Sequence, residues 1–211
     1  MVGGRWSMVG GRWSVVGLAL AMLMAGCTSG PGPGDDSAYL GEVEQHRAAI
    51  EDRFRNDPET PIPADKKDVL LPLQYYPIDR AYSVPASLRL NDQRPVFEMP
   101  TSTGTLRRMQ LVGTLHFSLK GQEHSLGAFV PEGEAIDSLF VPFADLTTGT
   151  ETYPAGRYLD LYPTATGYYE IDFNRAYNPY CAYNASYDCP YPPPSNRLKV
   201  AVTAGEKNPS S

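Results

Sequence analysis

Apolar and polar residues alternate along two stretches in the middle of this chain. Val84, Ala86, Leu88 and Leu90 take every second position, and Leu111, Gly113, Leu115, Phe117 and Leu119 repeat the pattern. A period of two sends successive side chains to opposite faces of a strand, one toward a core and one toward solvent. Lys120-Gly121-Gln122 then predicts a turn that returns the chain as a strand over His124–Val130. Ser138–Phe143, Arg157–Tyr162, Tyr168–Asn174 and Leu198–Thr203 are predicted as further strands. Short strands with Gly or Pro at nearly every junction argue for an antiparallel β-sandwich or a barrel-like sheet.

The period changes before residue 60. Leu40, Val43, Ile50 and Phe54 share one helical face, interrupted by Arg47, while Glu42, Glu44, Glu51, Asp52 and Arg55 cover the other. Asp35, Asp36 and Ser37 are candidate caps, and Asn56-Asp57-Pro58 ends the helix. A stripe this narrow suits a helix that caps a sheet. The expected architecture is therefore mainly β, a single domain over 37–207 with one N-terminal helix at 37–56 and the β part from about 69 to 207.

The first 36 residues follow neither pattern. Arg5 and Arg12 precede a short apolar run, Val15–Met24, and small residues lead from it to Cys27. That order is the signature of an export signal, and the run is too short to span a bilayer. Met24-Ala25-Gly26-Cys27 resembles the lipobox of bacterial lipoproteins, with Met24 where Leu is usual. The resemblance implies a signal peptide over 1–26, cleavage before Cys27 and lipidation of its thiol. A Gly/Pro/Ser tether over 27–36 would then hold the domain off the bilayer. The expected location is the bacterial cell envelope, outside the cytoplasm. The heptapeptide MVGGRWS occurs at 1–7 and again at 8–14, so Met8 is a second possible start.

Removing Arg5 and Arg12 leaves 16 basic against 24 acidic residues, a net charge of −8. So acidic a chain has no electrostatic footprint for nucleic acid or for anionic lipid, and its expected contact with the bilayer is the lipid on Cys27 alone. With Cys27 assigned to lipid, Cys181 and Cys189 remain. Two cysteines close in sequence in an oxidising compartment predict a disulfide; the competing reading is a free thiol pair near Asn178.

Side chains suited to recognition concentrate late in the chain. Seven of the 14 tyrosines lie between Tyr168 and Tyr191, Tyr180 among them. A tyrosine offers an apolar ring and a polar tip, which suits stacking on sugars or peptides as well as packing at the edge of a core. Asp145, Thr147, Tyr153 and Arg157 stand on a loop between two predicted strands, where Arg157 either grips an anionic ligand or pairs with Asp145 or Asp172. Asp172 and Asn174 share one face of their predicted strand and lead into Asn178. His46, His116 and His124 have no metal spacing, and the two late cysteines lack the further ligands of a zinc site. No GxSxG elbow, HExxH helix or phosphate-binding Gly loop occurs, so neither a metal nor another cofactor is expected.

Pro100–Leu119, Leu139–Leu161 and Asp172–Leu198, with Ala204-Gly205-Glu206-Lys207, together resemble a bacterial family known only as domain of unknown function 1684. The resemblance covers most of Tyr75–Lys207. It implies a β-rich single domain whose recurring polar positions fall on Asp145, Thr147, Gly149, Thr152, Tyr153, Gly156, Arg157, Asn174, Asn178, Cys181, Cys189, Pro190 and Asn196. It brings no activity. The expected function is a binding module for a glycan, a peptide or an envelope protein, with Asp145, Thr147, Tyr153, Arg157, Asp172, Asn174, Asn178 and Tyr180 as its candidate contacts. The alternative is a hydrolase working through the same polar groups and a free Cys181.

Overall fold

The computed structural model describes residues 1, 3, 36–164 and 168–209. Cys27, the signal peptide and nearly all of the tether lie outside the described residues. Among those described, no helix is long and apolar enough to cross a membrane.

Seven antiparallel strands form one sheet: β1 (Ser83–Leu90), β2 (Val96–Pro100), β3 (Leu106–Leu119), β4 (Gln122–Pro131), β5 (Leu139–Phe143), β6 (Arg157–Leu161) and β7 (Tyr169–Asp172). Their order is β6-β5-β4-β3-β1-β7, with β2 hydrogen-bonded beside β1 to the long β3. The sheet curls until its two ends nearly meet. Across that gap Tyr158 N–H donates to Tyr177 O at 2.9 Å and Tyr177 N–H donates to Tyr158 O at 3.1 Å. The result is a nearly closed, barrel-like sheet, which also removes most of the edge an open sheet exposes.

The predicted alternation is realised in β3, where Leu115, Phe117 and Leu119 are buried and His116 and Ser118 exposed. Lys120 and Gly121 both take positive φ, 52° and 73°, the backbone of a two-residue hairpin turn that joins Leu119 to its partner Gln122. In β4 the alternation fails, and Leu126 to Val130 are all buried. On its outer face Phe129 packs with Met99 and Met109, and Gly127 meets Asn196, whose Oδ1 accepts Gly127 N–H at 2.7 Å while its Nδ2 donates to Gly127 O and Pro142 O at 2.9 and 2.8 Å. Tyr82, Leu115, Leu126, Leu139, Ile171, Phe173 and Val202 belong to the main core inside the curl.

The helix α1 (Ser37–Asn56) spans the predicted residues, with Asp36 at its N-cap and Asp57 at its C-cap. It packs across the turn that follows β7 and beside the tyrosine-rich segment, with Phe54, Ile62, Leu70, Leu73 and Tyr183 forming a second, smaller core. Arg47, the break in the apolar stripe, is what fastens it. The guanidinium donates to Tyr76 O at 3.0 Å and Asn174 O at 3.1 Å and lies 4.4 Å from the centre of the Tyr75 ring.

Two predicted features are corrected. Leu198–Thr203 is not a strand: Leu198, Val202 and Ala204 do enter the core, but the carbonyls of Val202 and Ala204 go to Arg157 instead of a neighbouring strand. In the other direction, β2 carried no period-two signal, because Val96, Phe97 and Glu98 are all exposed on an edge strand.

A bulge between Leu111 and Gly113 brings β3 close to β1, where Gly113 pairs with Leu90. A Cβ at Gly113 would lie 2.4 Å from the Arg89 carbonyl oxygen. Gly113→Ala is therefore expected to destabilise the fold by about 1–3 kcal/mol in urea denaturation; an unchanged midpoint would contradict so tight a contact.

Candidate functional site

The fold sorts the predicted site residues into three places. Asp145, Thr147 and Arg157 form a closed cluster inside the protein. Arg157 is 1 % exposed, and its Nη2 donates to Asp145 Oδ2 at 2.7 Å and Val202 O at 2.9 Å. Nη1 donates to Ala204 O, and to Glu206 O at 3.1 Å. Asp145 Oδ1 accepts both the N–H and the hydroxyl of Thr147 at 2.6 Å. A buried guanidinium is tolerable only with such a shell of acceptors. Its predicted partner is thus Asp145 and not Asp172, and with its donors turned inward this cluster offers a ligand nothing.

Asp172 and Asn174 dock the helix. Tyr39 on α1 donates its hydroxyl to Asp172 Oδ1 at 2.8 Å and accepts from Asn174 Nδ2 at 2.8 Å. Burial, with the neighbouring Asp172, pushes the Tyr39 hydroxyl up to about 12. Asn174 also holds both backbone groups of Asp79, and Arg175 Nε donates to Asp172 Oδ2 at 3.1 Å. These bonds join helix, loop and β7.

Asn178 and Tyr180 open on a cleft of about 500 Å³, and Tyr153 stands behind it against Cys181. One wall is α1, through His46, Ile50, Arg53 and Phe54; another is the sheet, through Phe140, Tyr158 and Asp160; Tyr177, Tyr180, Tyr187 and Cys189 complete it. The rings meet edge to face: Phe140 on Tyr158 at 4.7 Å, Tyr180 on Tyr187 at 5.3 Å and Tyr158 on Tyr177 at 5.8 Å between centres.

Glu206 lines the cleft and, like Asn178, is 1 % exposed. Asn178 N–H donates to its Oε2 at 2.9 Å and the Tyr183 hydroxyl donates to its Oε1. Burial raises its pKa from 4.5 to about 7. Beside it the Asn178 side chain gives Nδ2 to Lys207 O at 2.7 Å, but its buried Oδ1 has no partner. Asp160 stands nearer the mouth and accepts the Tyr177 hydroxyl at 2.7 Å; burial among the rings raises its pKa. His46 is pushed the other way, by burial and then by the Arg175 charge, so it faces the cleft neutral at pH 7. Glu206, Tyr158, Asp160 and His46 were not among the predicted contacts. The one local signal for Glu206 was the glycine before it. Gly205 has φ of 76°, and a Cβ there would meet Phe173 O at 2.5 Å, which is how the backbone comes close enough to bury the carboxyl.

The predicted disulfide is not formed. Cys181 and Cys189 are both free, buried thiols. Cys181 N–H donates to Cys189 Sγ at 3.2 Å, so the 3₁₀ turn Tyr180–Ala182 presents its backbone to that sulfur and no covalent crosslink joins the two residues. The loop is held instead by Ser102: its N–H donates to Cys189 O at 2.9 Å and its Oγ accepts Cys189 N–H at 3.1 Å. Hydrogen bonding from the Cys189 thiol, and more weakly from the Tyr153 hydroxyl, lowers the Cys181 pKa to about 6, against the opposing effect of burial. The same bond raises Cys189.

Two outcomes follow from the buried charges. Arg157→Ala leaves the Asp145 carboxylate buried without its cation and is expected to cost about 3–5 kcal/mol in chemical denaturation; a near-neutral effect would show that the cluster is not the polar centre of the fold. For Glu206 the folded pKa lies above the unfolded one, so the folded state binds more protons between them. Stability should fall as pH rises from about 4.5 to about 7, by about 3 kcal/mol, and then level off. Glu206→Gln should flatten that slope, as followed by denaturant midpoints across the same range.

No curated protein matches this chain. A solved structure does: the solution NMR structure of an uncharacterised protein of Haloarcula marismortui, with 36 % sequence identity, a TM-score of 0.65, and coverage of 82 % of this chain and 96 % of that one. The family model described as "Protein of unknown function (DUF1684)" matches residues 71–207, which takes in every strand, Arg157, both late cysteines and Glu206. The chain belongs to the DUF1684 family.

Proposed function

We propose that this protein is an envelope lipoprotein, anchored through Cys27, whose domain binds the end of a glycan in the tyrosine-lined cleft. The observation that carries the reading is the floor of that cleft. Asn178 Oδ1 is a buried acceptor with no partner, next to the Glu206 carboxyl and beneath the rings of Tyr158, Tyr177 and Tyr180. A buried acceptor left unpaired costs about 1–3 kcal/mol, which a ligand hydroxyl would recover. Sugars combine hydroxyl donors with apolar ring faces, and a concave site of this size suits one or two sugar units better than a flat protein surface. The anchor reading rests on the apolar run Val15–Met24 and the cysteine after it.

A hydrolase reading has one observation in its favour: Asp160 and Glu206 line the same cleft, and burial raises both pKa values. Against it, both Glu206 oxygens are engaged, by Asn178 N–H and Tyr183 OH, and neither is free to meet a scissile bond. Binding is the better reading.

The test is saturation-transfer NMR with a panel of mono- and disaccharides at millimolar concentration. A ligand should show transfer to its ring protons, and Tyr180→Ala should weaken it about tenfold, the loss of one stacking contact. A panel that gives no transfer, or a hit indifferent to Tyr180→Ala, would remove the cleft as a sugar site. For the anchor, Cys27→Ser should release the protein from membranes, and wild-type protein that takes up no fatty-acid probe would refute lipidation.

A further inference from the structure

We propose that Cys181 and Cys189 form a two-coordinate site for a soft monovalent metal ion of the copper(I) class. Both cysteines are free and buried, and Cys181 N–H donates to Cys189 Sγ at 3.2 Å, which sets the two residues side by side. Metal binding replaces the thiol protons: two S–H bonds break, two S–M bonds form to M⁺, and two H⁺ leave to solvent. No atom changes oxidation state.

The choice of metal follows from what surrounds the sulfurs. Among the described residues no group of three or more His, Cys, Asp or Glu side chains is placed to share an ion. A structural zinc needs four such ligands and calcium six or more oxygens, so neither is served. Two thiolates suit copper(I), a soft ion that thiolate ligands select. The shell around them is hydroxyl and aromatic: Tyr153 OH lies 3.8 Å from Cys181 Sγ, and Ser102 Oγ accepts Cys189 N–H at 3.1 Å. Cys189 faces the cleft, which gives an ion its path from solvent. The backbone bonds from Ser102, with Pro179 and Pro190 beside the cysteines, hold both sulfurs in place before any ion arrives.

The full chain carrying Cys27→Ser leaves only this pair to answer. Loaded anaerobically with copper(I), or with silver(I) as a redox-inert probe, it should retain one ion per chain by native mass spectrometry against a chromophoric copper(I) chelator. Cys181→Ser and Cys189→Ser should each lower retention about 100-fold or more, since either leaves a single thiolate. X-ray absorption on the loaded chain, which needs no further variant to fold, should give two sulfur neighbours. An ion stripped completely by the chelator, one kept when both cysteines are replaced, or a coordination shell without two sulfurs would overturn the proposal.

Discussion

A cation buried to 1 % exposure inside a β domain fixes much of what surrounds it. Arg157 begins β6, and its guanidinium takes acceptors from Asp145 and from the carbonyls of Val202, Ala204 and Glu206. Water cannot replace them there, so the C-terminal segment must run past the arginine with its carbonyls turned inward. That requirement explains why an apolar stretch that reads as a strand does not become one. It also delivers Glu206 to one side of the cluster, its backbone holding Arg157 and its side chain turned to the cleft.

The helix is held by polar anchors as much as by its apolar stripe. Val43 and Phe54 are buried, but Tyr39 and Arg47 bond to Asp172 and Asn174 where β7 ends, and Arg47 also to Tyr76 in the segment before β1. Those directional bonds fix where α1 lies against the nearly closed sheet. Its free flank, His46 and Arg53, consequently becomes a wall of the cleft instead of more core.

The cleft joins two kinds of chemistry at short range. At its floor are a carboxyl that burial keeps half-protonated near neutral pH and an amide oxygen without a partner. In its wall is a thiol whose neighbour is the more acidic sulfur. Buried polar groups in this state are costly to maintain. Their common position under the tyrosine rings makes this face the place to look for a ligand.

Much of the architecture was legible along the chain. The period of 3.6 gave α1 and the period of two gave β1 and β3, because these patterns record which side of a local element is buried, and the Lys120-Gly121 turn gave the return strand β4. An arginine and an aspartate flanking one loop made the Arg157–Asp145 pair one of three readings, beside a pair with Asp172 and the grip on an anionic ligand. The convergence of distant segments was not legible. Nothing near Cys181 and Cys189 revealed that Ser102, some 80 residues earlier, would hold their loop open as two thiols. Nothing local placed Glu206 beside Asn178, or turned Asp172 and Asn174 toward Tyr39 instead of a ligand. Periodicity reports burial one element at a time; a site depends on which elements the closed sheet and the buried arginine bring together, and that is decided only by the tertiary structure.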